Sequence, residues 1–237
     1  MKVLITGTNS GLGKWLSNQF PDCDKFIRGC STEEFIEKDW SPDGYGYTYK
    51  PYDLIIHCAA VVSHCDWSNV EQDLFQDNVF LTRELTKIPH KRFIFISSID
   101  EVKDSPYGVT KRISEIVVRN LCENYLIIRP SGLLGKEMKK NTFQKIVNGE
   151  DIALTPTTIM NYISYEDILN AIKSNITGTK VLRSNDDISI QEVVDIFDKD
   201  LKFGTIHYEV EYVKSDIDTN KTSRDNIILY KEKYVKK

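Results

Sequence analysis

The segment Thr6-Gly7-Thr8-Asn9-Ser10-Gly11-Leu12-Gly13 sits between an apolar run and a helix-spaced stripe, and few folds need three glycines at such a junction. Upstream, residues 2–6 read as a strand. Downstream, Leu12, Trp15, Leu16 and Phe20 recur at helical spacing, and Pro21 helps to end the run. A strand that turns directly into a helix leaves the first helical amides open to an anion. Gly7 permits the tight turn, Gly11 lets backbone approach a phosphate, and Gly13 allows close helix packing, while the helix start carries partial positive charge. The expected ligand is the pyrophosphate of a dinucleotide, held by Gly7, Thr8, Asn9, Ser10, Gly11, Leu12 and Gly13.

Short apolar runs alternate with helical patterns through the first half of the chain, which predicts a parallel sheet covered by helices. Strands are expected at 2–6, 25–28, 54–58, 93–97 and 125–129, several too continuously apolar for a sheet with one wet face. Crossover helices are expected at 70–86 and 107–122, the latter with Ile113, Ile116, Val117 and Leu121 as its buried stripe. Beyond Arg129-Pro130, helices are expected at 142–147, 165–173 and 190–197, with Asp167 and Ser189 near their starts. Residues 202–230 include an alternating stretch from His207 to Val213 and carry no assignment. The fold class is α/β: a Rossmann-type doubly wound parallel sheet in residues 1–130, with a small C-terminal substrate-side lobe in residues 131–237.

A net charge of -4 argues against nucleic acid as a partner, because neutralising phosphates takes a surplus of Lys and Arg. The Lys-rich end from Lys231 to Lys237 reads as a solvated tail. No apolar run approaches the roughly 20 residues of a membrane span, and no signal peptide is expected ahead of residue 2, so the expected location is the cytosol. Five cysteines without a Cys-x-x-Cys fit reduced thiols. His57-Cys58 and His64-Cys65 place neighbours on opposite faces of a strand, so core packing is expected there and no metal. Trp15, Trp40, Trp67 and the tyrosines at 45, 47, 49 and 52 lack a basic groove and read as packing and loop residues, not as a base-stacking platform.

The candidate chemistry lies where the run Phe93 to Ile96 ends in Ser97-Ser98 and Pro106-Tyr107-Gly108-Val109-Thr110-Lys111 opens the next helix. Tyr107 and Lys111, four residues apart, project from one helix face. A phenol is a poor base at neutral pH, and a nearby ammonium favours its phenolate. Tyr107 is thus the expected acid/base, Ser98 the hydrogen-bond partner of the substrate oxygen, and Lys111 also a holder of the nicotinamide ribose. With 12 tyrosines in 237 residues, about one Tyr-x-x-x-Lys arises by chance, so the pair gains force only from following a serine-ended strand and a glycine turn. Arg28, after Phe26-Ile27, tilts the cofactor expectation to NADP, with NAD possible. Asn78 is a candidate positioning group and equally a candidate helix cap.

The order of these motifs resembles the extended short-chain dehydrogenases, which include nucleotide-sugar epimerases, dehydratases and reductases. The likeness covers roughly residues 2–172. It rests on Asp53-Leu54-Ile55-Ile56-His57-Cys58-Ala59-Ala60, the Asn78 to Leu85 segment, Ser97-Ser98, Pro106-Tyr107-Gly108 with Lys111, Arg129-Pro130 and Asn161-Tyr162-Ile163-Ser164-Tyr165-Glu166-Asp167. The glycine spacing is instead similar to that of the simpler branch. The resemblance implies an NAD(P)-dependent oxidoreductase or epimerase acting on a sugar nucleotide. By the same resemblance Ala59, Ala60 and Pro130, Ser131, Gly132 and Leu133 would line the cofactor, and the 107–122 helix would pair two copies as a homodimer. The rival expectation is a cofactor-binding sensor or scaffold without turnover. Two departures stand out: the segment between Ser98 and Tyr107 is short, and so is the chain. Asp100-Glu101 resembles the acidic pair of dehydratases, but Ile99 intervenes.

Overall fold

The computed structural model describes residues 1–40, 47–61, 72–210 and 212–235. His64, Cys65, Trp67, Val70 and Tyr45, named above, lie outside the described residues, and so do the side chains of Trp40 and Tyr47. The chain divides into two compact units: Met1–Arg129 with Asn175–Thr179, and Pro130–Ser174 with Lys180–Lys237.

The strands are β1 (Val3–Thr6), β2 (Asp24–Phe26), β3 (Lys38–Trp40), β4 (Tyr47–Tyr49), β5 (Leu54–His57), β6 (Phe93–Ile96), β7 (Tyr125–Pro130), β8 (Gly132–Leu134), β9 (Ile159–Met160), β10 (Tyr162–Ser164), β11 (Gly178–Leu182) and β12 (Ile188–Ser189). The helices are α1 (Gly11–Gln19), α2 (Gln72–Phe75), α3 (Leu81–Leu85), α4 (Pro106–Leu121), α5 (Thr142–Asn148), α6 (Tyr165–Lys173), α7 (Ile190–Phe197) and α8 (Ser223–Tyr234).

A six-stranded sheet in the order β11-β7-β6-β5-β1-β2 organises the first unit, and the pairings from β7 to β2 are parallel. Every residue of β1, β5 and β6 is buried, as continuous apolar runs require when helices cover both faces. Phe93, Phe95, Ile55, Leu4 and Ile127 pack with Leu85, Ile88, Val118 and Cys122 in one core cluster. The chain leaves β1 toward β2 on one side and returns as β5 on the other. That reversal opens a crevice at the carboxyl ends of β1 and β5, where ligands of such sheets bind.

Several expectations need correction. Strand β2 spans only Asp24–Phe26, so Ile27 and Arg28 lie beyond it. Helix α4 buries Gly108, Thr110, Lys111, Ser114, Glu115 and Val118, whereas Ile116 and Leu121 of the expected stripe are 48% and 55% exposed. Its small and paired polar side face packs inward because those polar groups find partners there. The expected 70–86 helix, where described, is α2 and α3 joined through a π-turn at Gln76–Phe80.

At the carboxyl end of β5, His57 is fully buried between Thr6 and Thr82. Its Nδ1 lies 2.8 Å from the Thr6 hydroxyl and its Nε2 2.9 Å from that of Thr82. Thr82 donates its own proton to the Asn78 carbonyl, so its oxygen must accept from His57 Nε2–H. Thr6 Oγ1 already accepts the Cys58 and Ala59 amides and donates to Nδ1. The network therefore assigns a neutral imidazole with its proton on Nε2. Burial, and secondarily the charge of Lys111, push the His57 pKa down to about 3.

The second unit holds a parallel pair, β8 with β10, and an antiparallel pair, β9 with β12. Helix α6 starts from Ser164 with Asp167 at its third position, α7 from Ser189 with Glu192, and α8 from Thr222 with Asp225, each closing a capping box. Phe143 gathers an aromatic core, 5.3 Å from Tyr162, 5.6 Å from Phe197 and 5.1 Å from Tyr230. Helix α8 occupies the last part of the stretch left unassigned and extends into the Lys-rich end. Instead of a solvated tail, Lys231 donates to the Ile196 carbonyl and Lys233 pairs with Glu166. Within the alternating stretch from His207, Glu209 bridges Ile159, and the described residues form no regular strand.

A folded chain that keeps His57 neutral to about pH 3 competes with an unfolded chain that takes up the proton near 6.5. Stability from this group is thus lost as pH falls below 6.5, at up to about 1.4 kcal/mol per pH unit. Urea midpoints between pH 7 and pH 4 should fall more steeply for the wild type than for His57→Asn, and equal slopes would refute the assignment.

Candidate active site

The glycine turn is built around contacts that no side chain could share. Gly7 and Gly11 adopt left-handed backbone, with φ of 73° and 59°. A Cβ on Gly7 would stand 2.9 Å from the Ala59 nitrogen, and one on Gly13 would stand 2.4 Å from the Gly7 oxygen. The turn is thereby pressed onto α1 on one side and onto the chain leaving β5 on the other. Ser10, the N-cap of α1, makes no side-chain capping hydrogen bond, and the first turn holds no acidic residue. The amides at this helix start have no carboxylate of the chain's own nearby in the sequence, which suits a pyrophosphate. Leu12 is buried beneath the turn and Thr8 is likewise buried, while Asn9 is exposed.

Past β5, Cys58 and Ala59 donate their amides to Thr6 Oγ1 at 3.1 and 3.0 Å, which fixes the strand-end loop containing Ala60 against the turn. Asn78, in the π-turn, is 2% exposed and fully used: its Oδ1 accepts the Val61 amide at 2.8 Å, and its Nδ2 donates to the Val61 carbonyl and to Thr110 Oγ1. It is no helix cap. Thr110 in turn donates to the Tyr107 carbonyl at 2.8 Å, so Asn78 braces the loop after β5 against the start of α4.

Tyr107, Lys111 and Ser98 come together at the same edge. Ser105 caps α4 by accepting the Gly108 amide, and Pro106 occupies the first turn, so Tyr107 and Lys111 lie on successive turns of a firmly started helix. Ser98 caps the short helical turn Ile99–Val102 and reaches the Tyr107 hydroxyl with a hydrogen bond. Desolvation and then the Asp100 carboxylate raise the Tyr107 pKa above its ordinary value, while the Ser98 bond works the other way. Lys111 is 3% exposed; its Nζ donates to the Ile96 carbonyl at 2.8 Å and lies 4.8 Å from the centre of the Phe95 ring and 5.7 Å from that of Tyr107. Burial brings the Lys111 pKa down to about 8, against the pull of Cys58 and Glu115. Burial also pushes the Cys58 thiol up to about 12, so at neutral pH the thiol is uncharged and Glu115 is the standing counter-charge.

Sequence reasoning passed over that carboxylate. Glu115 is completely buried; it accepts from Ser97 Oγ at 2.6 Å, from Arg129 at 2.9 and 2.6 Å, and pairs with Arg119 at 3.0 Å. Arg129 also pairs with Glu101 at 2.7 Å. The signal was available, since Glu115 stands four residues after Lys111 on the same helical stripe. Glu101, half of the acidic pair, is thus committed to Arg129. Ile99 is 5% exposed, so Ser98 alone supplies the hydroxyl beside Tyr107. Arg28 is 79% exposed in its side chain and paired with Asp77. Pro130, Ser131, Gly132 and Leu133 belong to the second unit, at the end of β7 and the start of β8. There Ser131 is buried and its hydroxyl has no partner among the described residues.

No helix among the described residues is long and apolar enough to cross a membrane. The NAD dependent epimerase/dehydratase family matches residues 3–173. No curated protein matches the sequence. Solved structures with this fold include MoeE5 in complex with UDP-glucose and NAD, at 14% identity over the whole of both chains with a TM-score of 0.71. UDP-N-acetylglucosamine 4-epimerase from Bacillus cereus aligns over 97% of this chain and 95% of its own at 18% identity, with a TM-score of 0.69. The dTDP-4-dehydrorhamnose reductase from Bacillus anthracis in complex with NADP aligns over 87% and 85% at 20% identity, with a TM-score of 0.66. At these identities the likeness establishes a shared fold.

The three atoms that a Cβ at position 13 would meet, two of Gly7 and one of Thr6, are all backbone and cannot swing aside. Gly13→Ala should therefore lower stability by about 1–3 kcal/mol and weaken dinucleotide binding, read from urea midpoints and a calorimetric titration.

Proposed function

The chain belongs to the NAD-dependent epimerase/dehydratase family, and on that premise we propose that it is an NAD(P)-dependent oxidoreductase or epimerase acting on a hydroxyl or carbonyl of a sugar nucleotide. The observation that carries this reading is the meeting of Ser98, Tyr107 and Lys111 at the carboxyl edge of the sheet whose glycine turn ends in an uncapped helix start. A sensor would need no such trio. The UDP-glucose bound by MoeE5 and the UDP-sugar named for the Bacillus cereus 4-epimerase support the substrate class.

In this reading the α1 amides and the turn Gly7 to Gly13 hold the pyrophosphate, and Ala59 and Ala60 line the same crevice, with Asn78 fixing the loop that carries them. Lys111 holds the ribose hydroxyls. Pro130 to Leu133 would contact the nicotinamide, and the buried Ser131 hydroxyl, without a partner among the described residues, would be a fitting donor there. When bound, the dinucleotide supplies hydride exchange. Tyr107 gives a proton to the substrate carbonyl oxygen, or takes one from the hydroxyl in the reverse sense, while Ser98 hydrogen-bonds that oxygen. The Lys111 cation offsets the charge left on the phenol oxygen.

Arg28 supports NADP over NAD. Its pair with Asp77 is exposed, worth about 1 kcal/mol or less, and a 2'-phosphate of greater charge can replace it. Exposed Ile116 and Leu121 on α4 support a homodimer through that helix, and the lack of a spanning helix among the described residues is compatible with the cytosol.

Thermal shifts test the cofactor directly: at about 100 times its dissociation constant, NADP or NAD should stabilise the fold by about 2.7 kcal/mol. No shift with either removes the reading. Arg28→Ala should weaken NADP while leaving NAD unchanged, and equal losses would reassign Arg28 to a structural pair. Tyr107→Phe should lower turnover of a sugar nucleotide, followed by product mass, about 10²–10⁴-fold with cofactor affinity retained. Retained turnover excludes Tyr107 from proton transfer. Since Lys111 loses its charge near pH 8, wild-type turnover should fall off on the alkaline side of that value.

A further inference from the structure

Three successive residues at the end of β6 each hold a different turn of α4. The Ile96 carbonyl accepts from Lys111, the Ser97 hydroxyl donates to Glu115, and Ser98 reaches Tyr107. Positions 107, 111 and 115 form one stripe at four-residue spacing, so these attachments share a single face of the helix. A helix held at one point can still roll or slide. Held at three points along the stripe, it can do neither without breaking buried bonds.

Glu115 is the strongest of the three anchors. Its two oxygens receive four donors from three elements: Ser97 after β6, Arg119 from α4 itself, and two nitrogens of Arg129 from β7. The Arg129 contact is bidentate, the geometry that fixes direction as well as distance. Arg129 is itself held by Glu101 in the turn that follows Ser98. The ring of contacts thus closes back on the segment carrying the serine. None of these groups is required to touch a ligand.

We propose that Glu115 is a positioning residue for Ser98, Tyr107 and Lys111: with Ser97 and Arg129 it locks α4 in rotation and height against the ends of β6 and β7, one helical turn beyond the Lys111 ammonium. The proposal rests on the enzymatic reading for its purpose but not for its test. The titratable groups near Lys111 are Tyr107 and Glu115 on α4, Cys58 after β5, and His57 in β5; those on Glu115 are Arg119, Arg129 and, through Arg129, Glu101. Cys58 and His57 are neutral at physiological pH, so Glu115 is the anion whose loss Lys111 feels.

The test is a titration of Lys111 in the full chain by carbon-detected NMR of ¹³C-lysine, assigned with Lys111→Arg, alongside thermal melts. Glu115→Gln keeps the shape and the Ser97 bond but removes the charge. Lys111 should then titrate about one unit lower than in the wild type, and the alkaline limb of turnover should move with it. A lowered melting temperature with an unchanged Lys111 titration makes Glu115 a structural ion only and overturns the proposal. If Glu115→Gln does not fold, Ser97→Ala removes the single 2.6 Å tether and keeps the charge. Faster amide exchange at positions 111 and 115 and a moved Lys111 titration then support the lock, whereas neither change refutes it. A wild type that never turns over a sugar nucleotide defeats the enzymatic reading and leaves this measurement intact.

Discussion

An ammonium almost wholly removed from water at Lys111 sets the terms for the rest of the site. Burying a cation is costly unless it finds an acceptor, a polarisable face and an opposite charge. The Ile96 carbonyl, the Phe95 ring and Glu115 supply one of each. The anion so recruited is itself buried and brings its own requirement, met by Ser97, Arg119 and Arg129; Arg129 then draws in Glu101. One buried charge thereby organises the ends of two strands and one helix into a polar layer. This also explains why Ile116 and Leu121 of α4 face outward: beside Val118, the inward face is already filled by the paired polar groups of that layer.

The sheet was readable from sequence because its strands are continuous apolar runs of four or more residues, a pattern that a parallel sheet buried on both faces demands. The glycine turn was readable because its positions serve backbone geometry rather than packing, as the 2.4 Å approach to Gly7 shows for Gly13. The face of α4 was not. Counting apolar residues at helical spacing selects Ile113, Ile116, Val117 and Leu121, and nothing in that count reveals that Lys111 and Glu115 will be paired and buried. Burial of charge is decided by partners far along the chain, such as Arg129 fourteen residues later.

Other misses have similar causes. Strand β2 is three residues long, with two of them exposed, so no periodicity could fix its end. Helix α8 hid because Ile227, Ile228, Leu229 and Tyr230 are consecutive rather than spaced, though the Thr222 to Asp225 capping box marked its start. Asn78 looked equally like a positioning group or a helix cap. In the folded chain both ends of its amide are spent on Val61 and Thr110, and it serves as a brace between two loops.

The balance at Tyr107 shows why the lock on α4 matters to chemistry. Desolvation and Asp100 both favour the neutral phenol, so in the resting protein Tyr107 is a proton donor. Running the reaction in the other sense requires phenolate near neutral pH, more than three pK units below where the folded chain holds this phenol, and so more than about 4 kcal/mol of stabilisation. A cation a few ångströms away at an effective dielectric near 20 supplies part of that energy, and each added ångström erodes it. An ammonium on a flexible stem would surrender much of the benefit by moving. Lys111 is denied that freedom by its burial and by the Ile96 carbonyl that its ammonium grips, so its charge is delivered at a fixed place, for as long as the pH leaves it protonated.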